Sequence, residues 1–418
     1  MKKKNNKPNQ SQPKSKLPVL RQVCNLIPAF LVSKLARKFG CDKQARTYSP
    51  WSHVVSLIYG QLTHALSLHD ICDALRNHRG SLSTIRGATA PCRNTFSNAN
   101  RRRDPRMAEE LFWKVLEHLQ RVSPGFGGRN RYGKLPSRFR RAIHAVDSTV
   151  IQLVANCMDW AKHRRRKAAA KCHLRLNMQN MLPSFAIVDT AKENDAKRAR
   201  ELCAGLQSGE IVVFDKAYID YEHLHDLDKR GVAWVTRAKS NMGCRVVKKR
   251  LRKPEGKILR DDEVLLKGQS SRGKYPKRFR RIKALVEVDG KEKEMVFITN
   301  QMEWAASSIC DLYRCRWSIE VFFKQLKQTL QLCDFIGHNE RAVKWQVWIA
   351  LLTYVLLKYL AYLSNWHHSL NRIWTMIRGV LWSRLALIKL LQSYGTANGC
   401  YRALGRPEQA YLPGFAPT

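Results

Sequence analysis

From residue 18 to about residue 120 the apolar positions recur at helical spacing, through VCNLIPAFLVSKLARKF, WSHVVSLIYGQL and LSLHDICDAL, and predict an all-helical segment. A polar stretch follows and leads into PCRNTFSNANRRRD, where Pro91 suits a first helical turn. A short helix, a turn and a second helix bearing Arg93, Asn94, Asn98, Asn100 and Arg101 have the outline of a helix-turn-helix. A plain helical bundle with a basic rim reads equally well. Beyond GFGGRNRYGKLPSRFRR, a glycine- and arginine-rich linker, the period changes from that of helices to that of strands. AIHAVDSTVIQLV, KCHLRLNM, LPSFAIVD, EIVVFDKAY and VAWVTRAK are short apolar or alternating runs rich in β-branched residues. NDAKRARELCAGL and YEHLHDLDKRG between them are amphipathic, so the segment reads as an alternating α/β unit.

From Ser240 the chain is charged and turn-rich, and it ends in ALVEVDGKEKEMVFIT, whose Asp289-Gly290 pair signals a hairpin. This predicts a β-rich insertion within the α/β core. Helices return at Glu303. The expected organisation is a disordered basic tail (1–17), a helical N-terminal DNA-binding domain (18–122) and a linker (123–140). The first part of the core (141–239), the insertion (240–295) and the last core strand with its helix (296–340) follow. C-terminal helices (341–418) are a guess for a dimer contact.

Charge narrows the class of partner. Lys and Arg number 75 against 33 Asp and Glu, a net +42 that solubility does not require and that attracts a polyanion, nucleic acid first. A membrane surface is the rival, and VWIALLTYVLLKYLAYL resembles a span. Lys358 interrupts it, which favours a buried helix and no membrane. Twelve cysteines without a C-x-x-C pair argue against a zinc or disulfide frame and for a reducing cytoplasm.

The chemistry concentrates in YRCRWSIEVFFKQLKQTL, residues 313 to 330. On a helix, Tyr313, Arg316 and Lys327 fall within about 40° of Glu320, with Lys324 close by. That face is either an ordinary solvated one with ion pairs or a carboxylate set among phosphate-holding groups. Asp147 and Asp215 each follow an apolar strand, where an aspartate is costly unless hydrogen-bonded or bound to metal. Together with Glu320 they make an oxygen donor set suited to Mg2+ or Mn2+, and two such ions serve in-line displacement at phosphorus.

These residues resemble bacterial DDE transposases of the insertion-sequence-four family. Tyr313, Arg316, Glu320 and Lys327 match its Y-(2)-R-(3)-E-(6)-K signature, AVDST carries Asp147 and VVFDKAY carries Asp215. The LPSFAIVD strand, Asn194-Asp195 and the FITN strand are also similar, and the N-terminal stretch looks like the helical domain some members carry. The resemblance implies a ribonuclease H-like catalytic core with a β-rich insertion, preceded by an all-α domain and followed by C-terminal helices. It implies metal-dependent cutting at the ends of an insertion element and joining of the 3′ hydroxyl to target DNA. Double-stranded DNA is then the partner, as terminal inverted repeats and as target. Tyr313, Arg316 and Lys327 would contact its phosphates, and two subunits would hold two ends. Asp215 is followed by Lys-Ala where many members have Arg-Gly, and Met295 stands where some carry a base-stacking aromatic. A nuclease that cuts without joining, or an inactive DNA-binding protein, are the alternatives. Lys171 and His173 are satisfied strand residues or DNA contacts, the run 162–171 faces solvent or DNA, and Trp317 is expected in the core.

Overall fold

The computed structural model describes residues 13–43, 45–128, 139–153, 162–164, 167–190, 195–288, 290–329, 337 and 339–395. The basic tail to residue 12, most of the linker 123–140, Asn194 and Asp289 lie outside the described residues. So do part of the run 162–171 and everything after 395.

The helical periodicity becomes α1 (Val19–Cys24), α2 (Ala29–Lys38), α3 (Pro50–Thr63), α4 (Leu68–Asn77), α5 (Arg79–Ser83), α6 (Arg93–Arg102) and α7 (Arg106–Val122). Local chemistry sets the boundaries. Ser49 caps α3 by accepting from the Ser52 amide, with Pro50 fixed in the first turn. Ser67 and Asp70 form a reciprocal capping box on α4. Pro91 lies outside α6, which begins at Arg93 after Cys92, so its expected place in the first turn is corrected.

The α/β pattern becomes ten strands. They are β1 (Ile143–Leu153), β2 (Lys162–Arg164), β3 (Lys167–Asn177), β4 (Leu182–Thr190), β5 (Ile211–Phe214), β6 (Ala233–Arg237), β7 (Cys244–Lys249), β8 (Ile258–Leu266), β9 (Phe279–Val288) and β10 (Lys291–Thr299). Interspersed are α8 (Asp195–Cys203), α9 (Tyr221–Lys229), α10 (Gln269–Lys274), α11 (Ala306–Cys315) and α12 (Trp317–Thr329). All ten strands join one sheet, in the order β2-β3-β1-β5-β6-β10-β9-β8-β7 with β4 beside β3. β1, β5 and β6 run parallel; β3 pairs antiparallel with β1 and with β4 on one side, and β10 pairs antiparallel with β6 on the other. The strands of the expected insertion therefore continue the core sheet through β10. A core of Val146, Leu202, Phe214, Tyr218, Leu224 and Trp234 packs α8 and α9 against it.

The chain divides into two compact units, Gly127–Lys324 and a helical unit made of Met1–Phe126 with Gln325–Thr418. The helical unit contains α13 (Glu340–Leu363), α14 (Leu370–Gly379) and α15 (Leu387–Gly395) as well as α1–α7. The two helical segments expected as separate domains thus form one body. Trp348 of α13 packs on Phe112 of α7 at 5.6 Å, and Trp345 lies 4.6 Å from His53 of α3. Gln22 bonds the Leu385 carbonyl at 2.6 Å and the Leu387 amide at 3.0 Å. Among the described residues α13 is the one helix long and apolar enough to cross a membrane, and 78% of its apolar window is buried inside the protein. That burial also removes most of α13 from the dimer contact expected after Arg341.

Candidate active site

The pairing of β1 with β5 runs from Ile143 opposite Ile211 to Val146 opposite Phe214. These eight residues are buried, as befits parallel strands covered on both faces. The next residue in each strand is a carboxylate, Asp147 in one and Asp215 in the other, so register alone sets the two acids side by side. β6 adds a third neighbour: Thr236 pairs with Phe214, which brings Arg237 level with Asp215.

The third acid comes from a helix that tightens at a functional residue. α11 and α12 meet at Arg316, whose backbone stays helical. The Arg316 amide bonds the Tyr313 carbonyl and the Ile319 amide bonds the Arg316 carbonyl, both at 3.0 Å. These bonds span three residues rather than four, a local tightening of the 3-10 kind that often marks functional positions. From this junction Arg316 donates through Nη1 to Asp147 Oδ2 at 3.0 Å and through Nη2 to Glu320 Oε1. Tyr313, three residues before Arg316, donates its hydroxyl to Asp215 Oδ1 at 3.2 Å while its ring packs 4.9 Å from Phe297 of β10.

The electrostatics follow from this crowding. Burial pushes the Asp147 carboxyl up to about 6. Arg316 and the Ser148 amide oppose the rise, and the charges of Glu320 and Asp215 add to it. The Tyr313 phenol is pushed up to about 12, by burial first and by Asp215, against Arg316 and Arg237. Asp147 therefore senses both Asp215 and Glu320, the latter 173 residues away in sequence (320 − 147).

They do not stand as a closed oxygen cage. Among the described residues no three His, Cys, Asp or Glu side chains are gathered closely enough to hold a metal ion. The grouping runs instead through Arg316, whose cation offsets the repulsion among the carboxylates. The donor set itself, three carboxylates with no sulfur or imidazole, fits a hard divalent ion such as Mg2+ or Mn2+.

The remaining expected residues separate. Lys324 is exposed one turn beyond Glu320, and Lys327 is half-buried on the same helix. Trp317 is 60% exposed, not in the core, because its side of α12 is opposite Ile319, Phe322 and Leu326, which are buried. Asp147 pairs with Leu174 and Val150 with Lys171. Side chains alternate along a strand, so Lys171 and His173 face away from the side that carries Asp147. Arg93, Asn94 and Arg101 belong to the helical unit, exposed on α6. Sequence reasoning missed Arg237. Its signal was there: a cation closing a buried strand two strands from β1.

Asp215 follows the end of β5 as expected, but Asp147 lies within β1, which runs on to Leu153, so its expected place at a strand end is corrected. Two aspartates side by side on adjacent parallel strands, reached by a glutamate and an arginine from one helix, define a carboxylate-based enzyme on an α/β sheet. Residues 138–356, more than half of the chain, match the family model described as the transposase DDE domain. The chain belongs to that family of polynucleotidyl transferases. Residues 15–85 match a second model, described as a domain of unknown function, DUF4372. A putative transposase, y4zB, of Sinorhizobium fredii is 29% identical over 66% of this chain and 73% of its own length. A probable transposase for the element IS5377 of Geobacillus stearothermophilus is 28% identical over 55% and 60%. A solved piggyBac transposase synaptic complex with hairpin DNA is similar over 93% of this chain and 85% of its own, with TM-score 0.44 and 10% identity.

Proposed function

We propose that this insertion-sequence transposase binds the terminal inverted repeats of its element, cuts DNA there and joins the freed 3′ hydroxyl to target DNA. Its core is of the ribonuclease H-like type. One observation carries the reading: Arg316 holds Asp147 and Glu320 together while Tyr313 holds Asp215. In the cutting step water adds to phosphorus and the 3′ oxygen leaves with a proton. In the joining step that oxygen attacks a target phosphate and displaces the target's own 3′ oxygen. One or two divalent ions, Mg2+ or Mn2+, held by Asp147, Asp215 and Glu320 would polarise the phosphoryl oxygens. The protein's part is to hold the three acids together beside the central β1–β5 pair and to neutralise phosphate with Arg316, Lys324 and Lys327. Two copies act together on DNA, each holding one end. The net charge of +42 suits a nucleoid-associated protein of the bacterial cytoplasm with no membrane role.

The test is a supercoiled plasmid carrying the element ends, incubated with Mg2+ and wild type or Glu320→Gln. The expected result is cut and joined products from wild type, with the variant binding DNA but cutting at least about a thousandfold more slowly. Binding without cutting by both proteins would refute the catalytic reading, and cut ends that are never joined would make it a nuclease.

A further inference from the structure

α6 carries an exposed face that its own fold does not explain. Phe96, Ala99 and Asn100 are buried. Asn100 meets His53 Nε2 at 2.8 Å, and the His53 ring stands edge-on to Phe96 at 5.8 Å. The helix is anchored at its end as well, where Arg341 of α13 donates to the Arg102 carbonyl at 2.8 Å. On the other side Arg93, Asn94, Ser97, Asn98 and Arg101 are all exposed. At 100° per residue they occupy one arc of about 140°.

The composition of that arc is unusual for a solvated helix. Asn and Ser are poor helix formers, and exposed positions free of packing normally go to Ala, Glu, Lys or Gln. Here two asparagines and a serine take exposed positions despite their low helix propensity. No acid occurs between Arg93 and Arg103, and the next one, Asp104, is held by Arg106. Asn98 accepts from Arg101 Nη2 at 3.0 Å, so amide and guanidinium stand together on the surface.

Lysine would serve for holding phosphate. An arc of Arg and Asn is the chemistry that reads base edges, with Asn bidentate to adenine and Arg bidentate to guanine in the major groove. Resting on the reading that the chain acts at its element's ends, we infer that α6 is the base-reading helix. It would lie in the major groove of the terminal repeat and choose sequence through Asn94, Asn98 and Arg101. The helical unit, in which residues 15–85 match a model of unknown function that ends before α6, would then supply end recognition.

The experiment measures binding of the full chain to duplexes from the DNA flanking its gene, against shuffled sequence of equal composition. Wild type, Asn94→Ala, Asn98→Ala and Arg101→Lys are compared, with circular dichroism to verify folding. Each variant is expected to reduce the preference for the flanking sequence by about five- to a hundredfold. The salt dependence of binding to shuffled DNA should keep its slope, since no charge is lost. Replacing individual purines by 7-deazapurines should weaken wild type at a few positions, and the asparagine variants should lose sensitivity at some of them. Variants that keep the wild-type preference, or a wild type indifferent to every 7-deaza substitution, would overturn base reading by α6. Normal cutting of the ends would leave the catalytic reading intact in that case. Preference lost in the variants, with no cutting by wild type, would sink the catalysis and keep this inference.

Discussion

Arg280 and Asp261 form an ion pair sunk into the β8–β9 ladder, with side chains 3% and 9% exposed. Arg280 donates through Nε to Asp261 Oδ1 at 2.7 Å and through Nη2 to Oδ2, and its Nη1 reaches the carbonyl of Trp304. Arg280→Met keeps most of the volume and deletes all of these donors. The carboxylate must then stay charged without a partner or take up a proton. For an ordinary aspartate at neutral pH, proton uptake costs about 4 kcal/mol, which caps the damage. Breaking buried pairs from one side costs about 3–5 kcal/mol, in the same range. A loss of this size should speed amide exchange of β9 by about 150- to 1,000-fold wherever exchange follows unfolding of the sheet. Hydrogen exchange read by mass spectrometry on peptides covering Phe279–Val288 measures it within one unit of a two-unit chain. Two controls sharpen the result. Asp261→Asn in the Arg280→Met background should recover most of the protection, and Arg314→Ala, which breaks the exposed pair with Asp311, should cost no more than about 1 kcal/mol. An Arg280→Met protein that exchanges within about fivefold of wild type, or one not rescued by Asp261→Asn, would refute the reasoning.

Other outcomes follow from the same structure. Burial holds His53 down to about 3, with Arg103 adding to it and Asn100 opposing, and burial first, then Arg200, lowers His223 to about 4. Both must stay neutral in the fold while the unfolded chain protonates near 6.5. Stability is therefore whole above that value and falls as the pH drops toward 4, by about 2 kcal/mol per histidine near pH 5. Thermal melts from pH 7.5 to 5 check this, and a flat profile would contradict it. Trp317→Ala should change the unfolding midpoint by no more than about 0.5 kcal/mol, since the ring is solvent-exposed; a loss above about 2 kcal/mol would place it in the core after all. Tyr313→Phe deletes the hydroxyl bond to Asp215, and cutting should slow while overall stability drops by about 1 kcal/mol in chemical denaturation. Cutting at the wild-type rate would make that bond dispensable.

The local order of this protein was legible along the chain. The runs around β1 and β5, AIHAV and IVVF, are apolar apart from His144 because both faces of a parallel strand are covered, and the aspartates that follow them stand out for that reason. Tyr313, Arg316 and Glu320 share a helix face by spacing alone. Phase was a better guide than hydrophobicity at Trp317, which lies about 180° from Leu326 on α12 and so points away from the core. Tertiary structure decided what spacing could not. The β1–β5 register set Asp147 beside Asp215, since a one-residue slip would send either acid to the other face of the sheet. The meeting of α13 with α3 and α7 was equally invisible, because helical periodicity says that a face is buried and not which distant face buries it. Arg316 reaches Glu320 by helical spacing, but its bond to Asp147, 169 residues away, exists only because the helix packs beside β1, and no count of residues along the sequence contains that contact.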